Sequence, residues 1–275
     1  MNKKMWNLSL FIITFVSNTV FAGDITKSSL DQLMSLSGLN KQITEYPKMV
    51  NAGMNEARQM GAKIPKDEFD AMQVAVQSSF KPSAMLAVIS AKIKKDISEP
   101  DAKELLTWYK SDIGRVITKA EEDATTPTGY QNMISQAQSL FADKERLNYA
   151  LKIESLFNAT DMAMKIQNRT SLAVYSAITQ STNPYKPIEI AEFKKQMAAQ
   201  EEKMRANMKQ FIVLSFIYSY KDLDFASIEK YITFLEKDKT KKFNQSTMYG
   251  IESALMDSVD KLAASLAVVR KKFSN

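Results

Sequence analysis

Apolar residues recur at helical spacing along almost the whole chain, and no segment sustains a period-two alternation bounded by hairpin turns. The pattern predicts an all-α protein. A short helix over Ser29 to Ser37 closes at Gly38, a residue able to take the left-handed conformation that ends helices. A second runs from Leu39 towards Met60 with Pro47 as a kink or break, and a third begins at Pro65, followed by Asp67 and Glu68, whose charges suit a helix N-terminus. The fourth, Ser83 to Ile97, is densely apolar through Met85, Leu86, Val88, Ile89 and Ile93, which places it in the centre of the molecule. The fifth carries the clearest pattern: Ser98 caps it, Pro100 is tolerated in its first turn, and Ala102, Leu105, Leu106, Tyr109, Ile113, Val116, Ile117 and Ala120 follow one face for more than four turns.

Beyond it the segment DATTPTG, Asp123 to Gly129, reads as the linker between an N-terminal half, 24–123, and a C-terminal half, 130–275. A long helical stretch is expected from Tyr130 to Gln180 with a break near Ala142 to Lys144, then a loop STNPYKP over Ser181 to Pro187. The next helix, Ile188 to Tyr220, starts polar with a thin stripe of Ile190, Met197, Met204 and Phe211 and ends in FIVLSFIYSY, which is apolar nearly all round and must be buried. Asp224 caps another helix. The last carries a packing seam of Leu255, Val259, Leu262, Leu266, Val269 and Phe273.

Two of these stretches align with each other. KDISEPDAKELLTWYKSDIGRVI, from Lys95 to Ile117, falls on KDLDFASIEKYITFLEKDKTKKF, from Lys221 to Phe243, at an offset of 126, and the stripe Ala102, Leu105, Leu106, Tyr109 falls on Ile228, Tyr231, Ile232, Leu235. A weaker match places Leu30, Leu33, Met34 and Leu39 on Ile153, Leu156, Phe157 and Met162 at an offset of 123. The fold class expected is therefore a helical bundle built from two divergent helical repeats.

Composition narrows the chemistry. Of 275 residues 45% are hydrophobic and 25% charged, the balance of a folded globular chain. Seven Gly and seven Pro are few, which disfavours turn-dense β folds. There is no Cys and no His, so disulfides, Cys/His metal centres, thiol nucleophiles and His-dependent triads are excluded. Residues 1–22 read as an export signal, with Lys3 and Lys4 ahead of the apolar run Leu8 to Val16 and small residues Val20 and Ala22 before the expected cut. That run is too short to span a membrane, and no later stretch approaches the roughly 20 apolar residues spanning requires. A periplasmic or secreted location follows as the expectation. Without Lys3 and Lys4 the chain holds 35 basic against 31 acidic residues. Its short Lys clusters are solvated helix faces or contacts to an anionic envelope surface, and no aromatic-interleaved basic motif points to nucleic acid.

The stretch ELLTWYKSDIGRV, Glu104 to Val116, carries an aromatic-Tyr-x-Ser-x-x-Gly turn formed by Trp108, Tyr109, Ser111 and Gly114. With the lead-in LDQLMSLSGLNKQI, Leu30 to Ile43, it resembles the exported bacterial family known as domain of unknown function 2059, over about residues 30–123. The resemblance implies a helical, exported protein and brings no activity with it. The second copy departs from the hallmark, having Leu235, Lys237 and Thr240 where Tyr109, Ser111 and Gly114 stand.

Gly114 in mid-helix costs about 1 kcal/mol relative to Ala, so the close approach of another helix is expected there. The plain reading of Trp108, Tyr109, Ser111 and Gly114 is a packing motif; the functional one is a groove for a ligand or partner, with Trp108 and Ser111 off the buried stripe. Sixteen Met, among them the pairs Met162 with Met164 and Met204 with Met208, read as adaptable core filling or groove walls, with copper(I) ligation the sharper alternative. Ser-x-x-Lys recurs at Ser78–Lys81, Ser227–Lys230 and Ser258–Lys261 without the companion motifs of serine acyl enzymes, and Glu121, Glu122, Glu201 and Glu202 sit in charged runs that read as solvated faces. No cofactor and no metal are expected. The sequence thus favours a non-enzymatic exported protein that binds a hydrophobic small molecule or an envelope protein. An envelope hydrolase using Ser and Lys or carboxylates is one alternative, and a self-associating structural protein built on the seam ending at Phe273 is the other.

Overall fold

The computed structural model describes residues 23–59, 65–182 and 189–273. The expected export signal lies outside them, as does most of the STNPYKP segment. Among the described residues there are thirteen helices and no strand. They are α1 (Lys27–Leu36), α2 (Leu39–Gln59), α3 (Lys66–Ser79), α4 (Pro82–Asp96), α5 (Glu99–Tyr109), α6 (Asp112–Ala124), α7 (Pro127–Ser135), α8 (Ala137–Ala142), α9 (Lys144–Phe157), α10 (Ala159–Thr182), α11 (Ile190–Ser219), α12 (Phe225–Leu235) and α13 (Asp238–Phe273). The all-α class is as the periodicity predicts. None of these helices is long and apolar enough to cross a membrane.

Three differences from the sequence reading have local causes. The single helix expected from Ser98 to Ala120 is two, because the chain turns at Lys110 and Ser111 between α5 and α6. The DATTPTG segment is no extended linker: α6 runs to Ala124 and α7 starts at Pro127, so two residues make a corner there. The long stretch after Tyr130 breaks at Asp143 as expected, and also at Gln136 and at Asn158, whose backbone is left-handed with φ 49°. Pro47 sits inside α2, which continues past it.

α13 is the longest element and the axis of the packing. It runs antiparallel along α4 and then α3, with Ser246 donating to Asp96 near one end and Arg270 meeting Glu68 at 3.1 Å near the other. Its opposite side packs on α10. The seam residues Leu255, Val259 and Leu262 are buried in the main core by these neighbours, whereas Leu266, Val269 and Phe273 towards its end stay half-buried. That core draws on both halves: Leu33, Ile89, Ile93, Leu105 and Ile117 from one, Ile153, Ile228, Leu235, Phe243 and Val259 from the other. A smaller cluster of Met133, Leu140, Val213, Leu214 and Ile217 lies under α7 and α8 and buries the apolar end of α11.

Helix boundaries recur along the chain. Adding 126 to the bounds of α5 gives the bounds of α12, and adding it to the first residue of α6 gives the first residue of α13; the caps Ser98 and Asp224 correspond at the same offset. Further upstream the left-handed residues Gly38 and Asn158, and the fully buried Leu33 and Ile153, correspond at 120 rather than at the 123 of the sequence match. Contacts follow the same pairing. α13 packs on α4, and α6, its counterpart, packs on α11. At the seam Trp108 stacks on its own counterpart Phe234, with ring centroids 4.4 Å apart and planes 8° from parallel.

Candidate functional site

The four hallmark residues build the corner between α5 and α6. Ser111 caps α6: its Oγ accepts from the Gly114 amide at 3.1 Å and donates to the Trp108 carbonyl at 2.6 Å. The turn is so tight that a Cβ on Gly114 would stand 2.1 Å from that carbonyl oxygen. The close neighbour of Gly114 is therefore the chain's own preceding turn, the end of α5, and not another helix packed against it, and the residue stands in the first turn of α6 rather than mid-helix. The same corner is made again by Thr126 and Gly129. Thr126 donates to the Asp123 carbonyl and accepts from the Gly129 amide, and a Cβ on Gly129 would meet the Asp123 oxygen at 2.3 Å.

The corner aims its aromatics differently. Tyr109 turns into the seam, edge-on to Phe234 and Phe243, where burial pushes its hydroxyl far above the usual tyrosine range. Trp108 stays half-buried. It and Ser111 line a groove of about 370 Å³ whose walls are Trp108, Leu105 and Ile113 on one side and Phe234 on the other. Tyr109 and Gly114 do not line it. The groove crosses the seam, and its second wall comes from the positions that correspond to the hallmark: Phe234, Lys237 and Thr240 stand for Trp108, Ser111 and Gly114. Thr240 is 1% exposed, and its Oγ1 is buried with no hydrogen-bond partner. At the rim Lys239 pairs with Glu104 and approaches Asp101, while Lys237 adds an exposed ammonium. The repeat was the signal by which Phe234, Lys237 and Thr240 could be placed here from sequence.

A second polar cluster also ties the halves together. The hydroxyls of Tyr220 and Tyr231 donate to the same oxygen of Glu121, at 2.6 and 2.8 Å. Burial holds the Glu121 carboxyl above the usual glutamate range, although both hydroxyls oppose the shift. Glu121 is therefore not on the solvated face that its charged run suggested. Only the apolar character of FIVLSFIYSY, which requires Tyr220 to be buried, hinted at the partner. Glu122, by contrast, pairs outward with Lys41 at 2.9 Å.

The remaining sequence candidates are scattered. Ser78 and Ser258 donate to the carbonyls of Ala75 and Ala254, and Lys81 and Lys261 are exposed. Met164, Met204, Met208 and Phe211 line one cavity of about 450 Å³ between α10 and α11, whereas Met162 lines another. The Met-walled clefts thus lie along α10, one against α11 and the other against α13, away from the residues around Trp108. Among the described residues no three acidic side chains gather as a cation site.

No protein-family model matches this chain, and no curated protein or solved structure does so either.

Proposed function

We propose that this is an exported, non-enzymatic binding protein of the bacterial envelope, whose ligand is a small, largely apolar molecule seated in the groove across the seam. The observation carrying this reading is the half-buried indole of Trp108, left open over an apolar groove walled by Leu105, Ile113 and Phe234. A ligand seated there covers the indole and the apolar walls together. The groove is at the small end of ligand sites, which span about 300–1,000 Å³, so a compact molecule suits it better than a folded partner. Export is supported by Lys3 and Lys4 ahead of the apolar run and by Ala22, and membership of the family of unknown function 2059 by the Trp108–Gly114 hallmark.

The test is native mass spectrometry of the protein purified from the periplasm of an expressing cell. An added mass of a few hundred daltons, lost on denaturation and absent from a folded Trp108→Ala variant, is the expected result. A clean protein mass for the wild type, or an adduct equally retained by Trp108→Ala, would overturn the reading. The hydrolase alternative is checked separately, since labelling of the folded protein by a serine-directed acylating probe would revive it.

A further inference from the structure

A second, wider cleft shares no residue with the seam groove. It lies between α10 and the first turns of α11, beside Asp260 of α13, and its volume is about 700 Å³, well inside the range of ligand sites. Leu172, Ala173, Ile190 and Met197 make its walls, and Ile190 remains 39% exposed. Three cations and the carboxylates Glu201 and Asp260 edge it, and the cations are not equally engaged. Lys165 is paired with Glu252, Arg169 meets Asp260 only at 3.5 Å, and Lys194 forms no ion pair with a carboxylate among the described residues.

The internal correspondence makes Lys194 stand out. Carrying the α5–α12 offset of 126 back to α3 sets it opposite Glu68, a buried carboxylate that receives Arg270 from the last turns of α13. Among the described residues no helix covers the Lys194 face of α11 in that way. Lys195 and Glu202 stand where Phe69 and Val76 are buried on α3, so the covered face has turned polar while the apolar residues of α11 face α10. The second half therefore keeps an apolar slot with a positive end where the first half has a closed ion pair.

We propose that this cleft binds a long-chain fatty carboxylate, its hydrocarbon against Leu172, Ile190 and Met197 and its anionic head at Lys194 and Arg169. An anion at the free ammonium, with a chain covering Ile190, satisfies both groups at once; a cationic or uncharged chain satisfies one. The site is independent of the seam groove, and a single optical probe separates them. Trp6 belongs to the expected export signal, so in the chain from Gly23 onward Trp108 is the sole tryptophan and reports on the seam alone.

The experiment is calorimetric titration of that chain with dodecanoate, kept below its micelle concentration, against dodecyltrimethylammonium and butyrate as controls. Expected are one saturable equivalent of dodecanoate, at least tenfold weaker binding in Lys194→Glu and in Met197→Glu, and no change in Trp108 emission. Lys194 is exposed, so its variant should keep the wild-type circular dichroism and melting temperature. Absence of saturable binding, equal affinity for the cationic chain, or affinity unchanged in folded Lys194→Glu would overturn the proposal. So would binding that shifts Trp108 emission and disappears in Trp108→Ala, because that result places the chain in the seam groove.

Discussion

At the scale of single residues the α5–α6 corner is the most constrained point of the chain. Gly114→Ala would drive a methyl to 2.1 Å from the Trp108 oxygen, and that neighbour is backbone, which cannot swing aside as a flexible side chain can. The variant should lose about 1–3 kcal/mol or more by the usual cost of overpacking, read as a lower urea midpoint. Ser111→Ala keeps the space and removes only the cap, for a smaller loss of about 0.5–2 kcal/mol. The order of the two is the check, since an exposed mid-helix glycine would instead become more stable on conversion to Ala. Sequence reasoning recognised that Gly114 needs a close neighbour, but a spacing argument cannot say whether that neighbour is another helix or the chain's own previous turn.

At the scale of elements, periodicity located almost every helix and misjudged where some of them stop. α5 and α6 were read as one because the stripe from Leu105 and Tyr109 through Ile113 and Ile117 keeps its phase across the corner; the break is carried by polar Ser111 and by Gly114, neither of which disturbs an apolar stripe. Thr126 and Gly129 repeat that signature, Ser or Thr with Gly three residues on, so once seen it is readable. The partner of the C-terminal seam was not legible either, because a seam does not name what covers it. Here α3, α4 and α10 do. Deletion of Leu255 to Asn275 should therefore unfold the protein rather than merely dissociate an oligomer, exposing Phe69 and Val76 of α3 among others to water. Loss of the cooperative thermal transition is the expected result; a truncated chain that melts like the full one would show that α13's distal half packs on nothing that matters.

At the scale of the whole molecule the two halves meet through a titratable link, and its sign can be worked out. Glu121 on α6 receives Tyr220 and Tyr231 from the other half, with Tyr109 and Glu122 as the further ionisable groups around it, and burial raises its carboxyl above the ordinary value of 4.5. Between that value and the raised one the unfolded chain has lost the proton that the folded chain keeps, so stability falls as pH rises through this window. Asp96, held by Ser246 and by Lys92, and Glu99, held by Thr26 and Ser29, are shifted downward and act oppositely, their contribution being lost as pH falls below 3.8 and 4.5 respectively. A stability maximum on the acid side of neutrality follows. Glu121→Gln preserves an acceptor for the tyrosine hydroxyls and removes the ionisation, so it should flatten the decline towards neutral pH and leave the acid limb in place. Melting temperatures of both proteins from about pH 3 to pH 8 decide the matter. Parallel profiles would mean that water reaches Glu121 freely and that the seam between the halves opens more readily than its two hydrogen bonds imply.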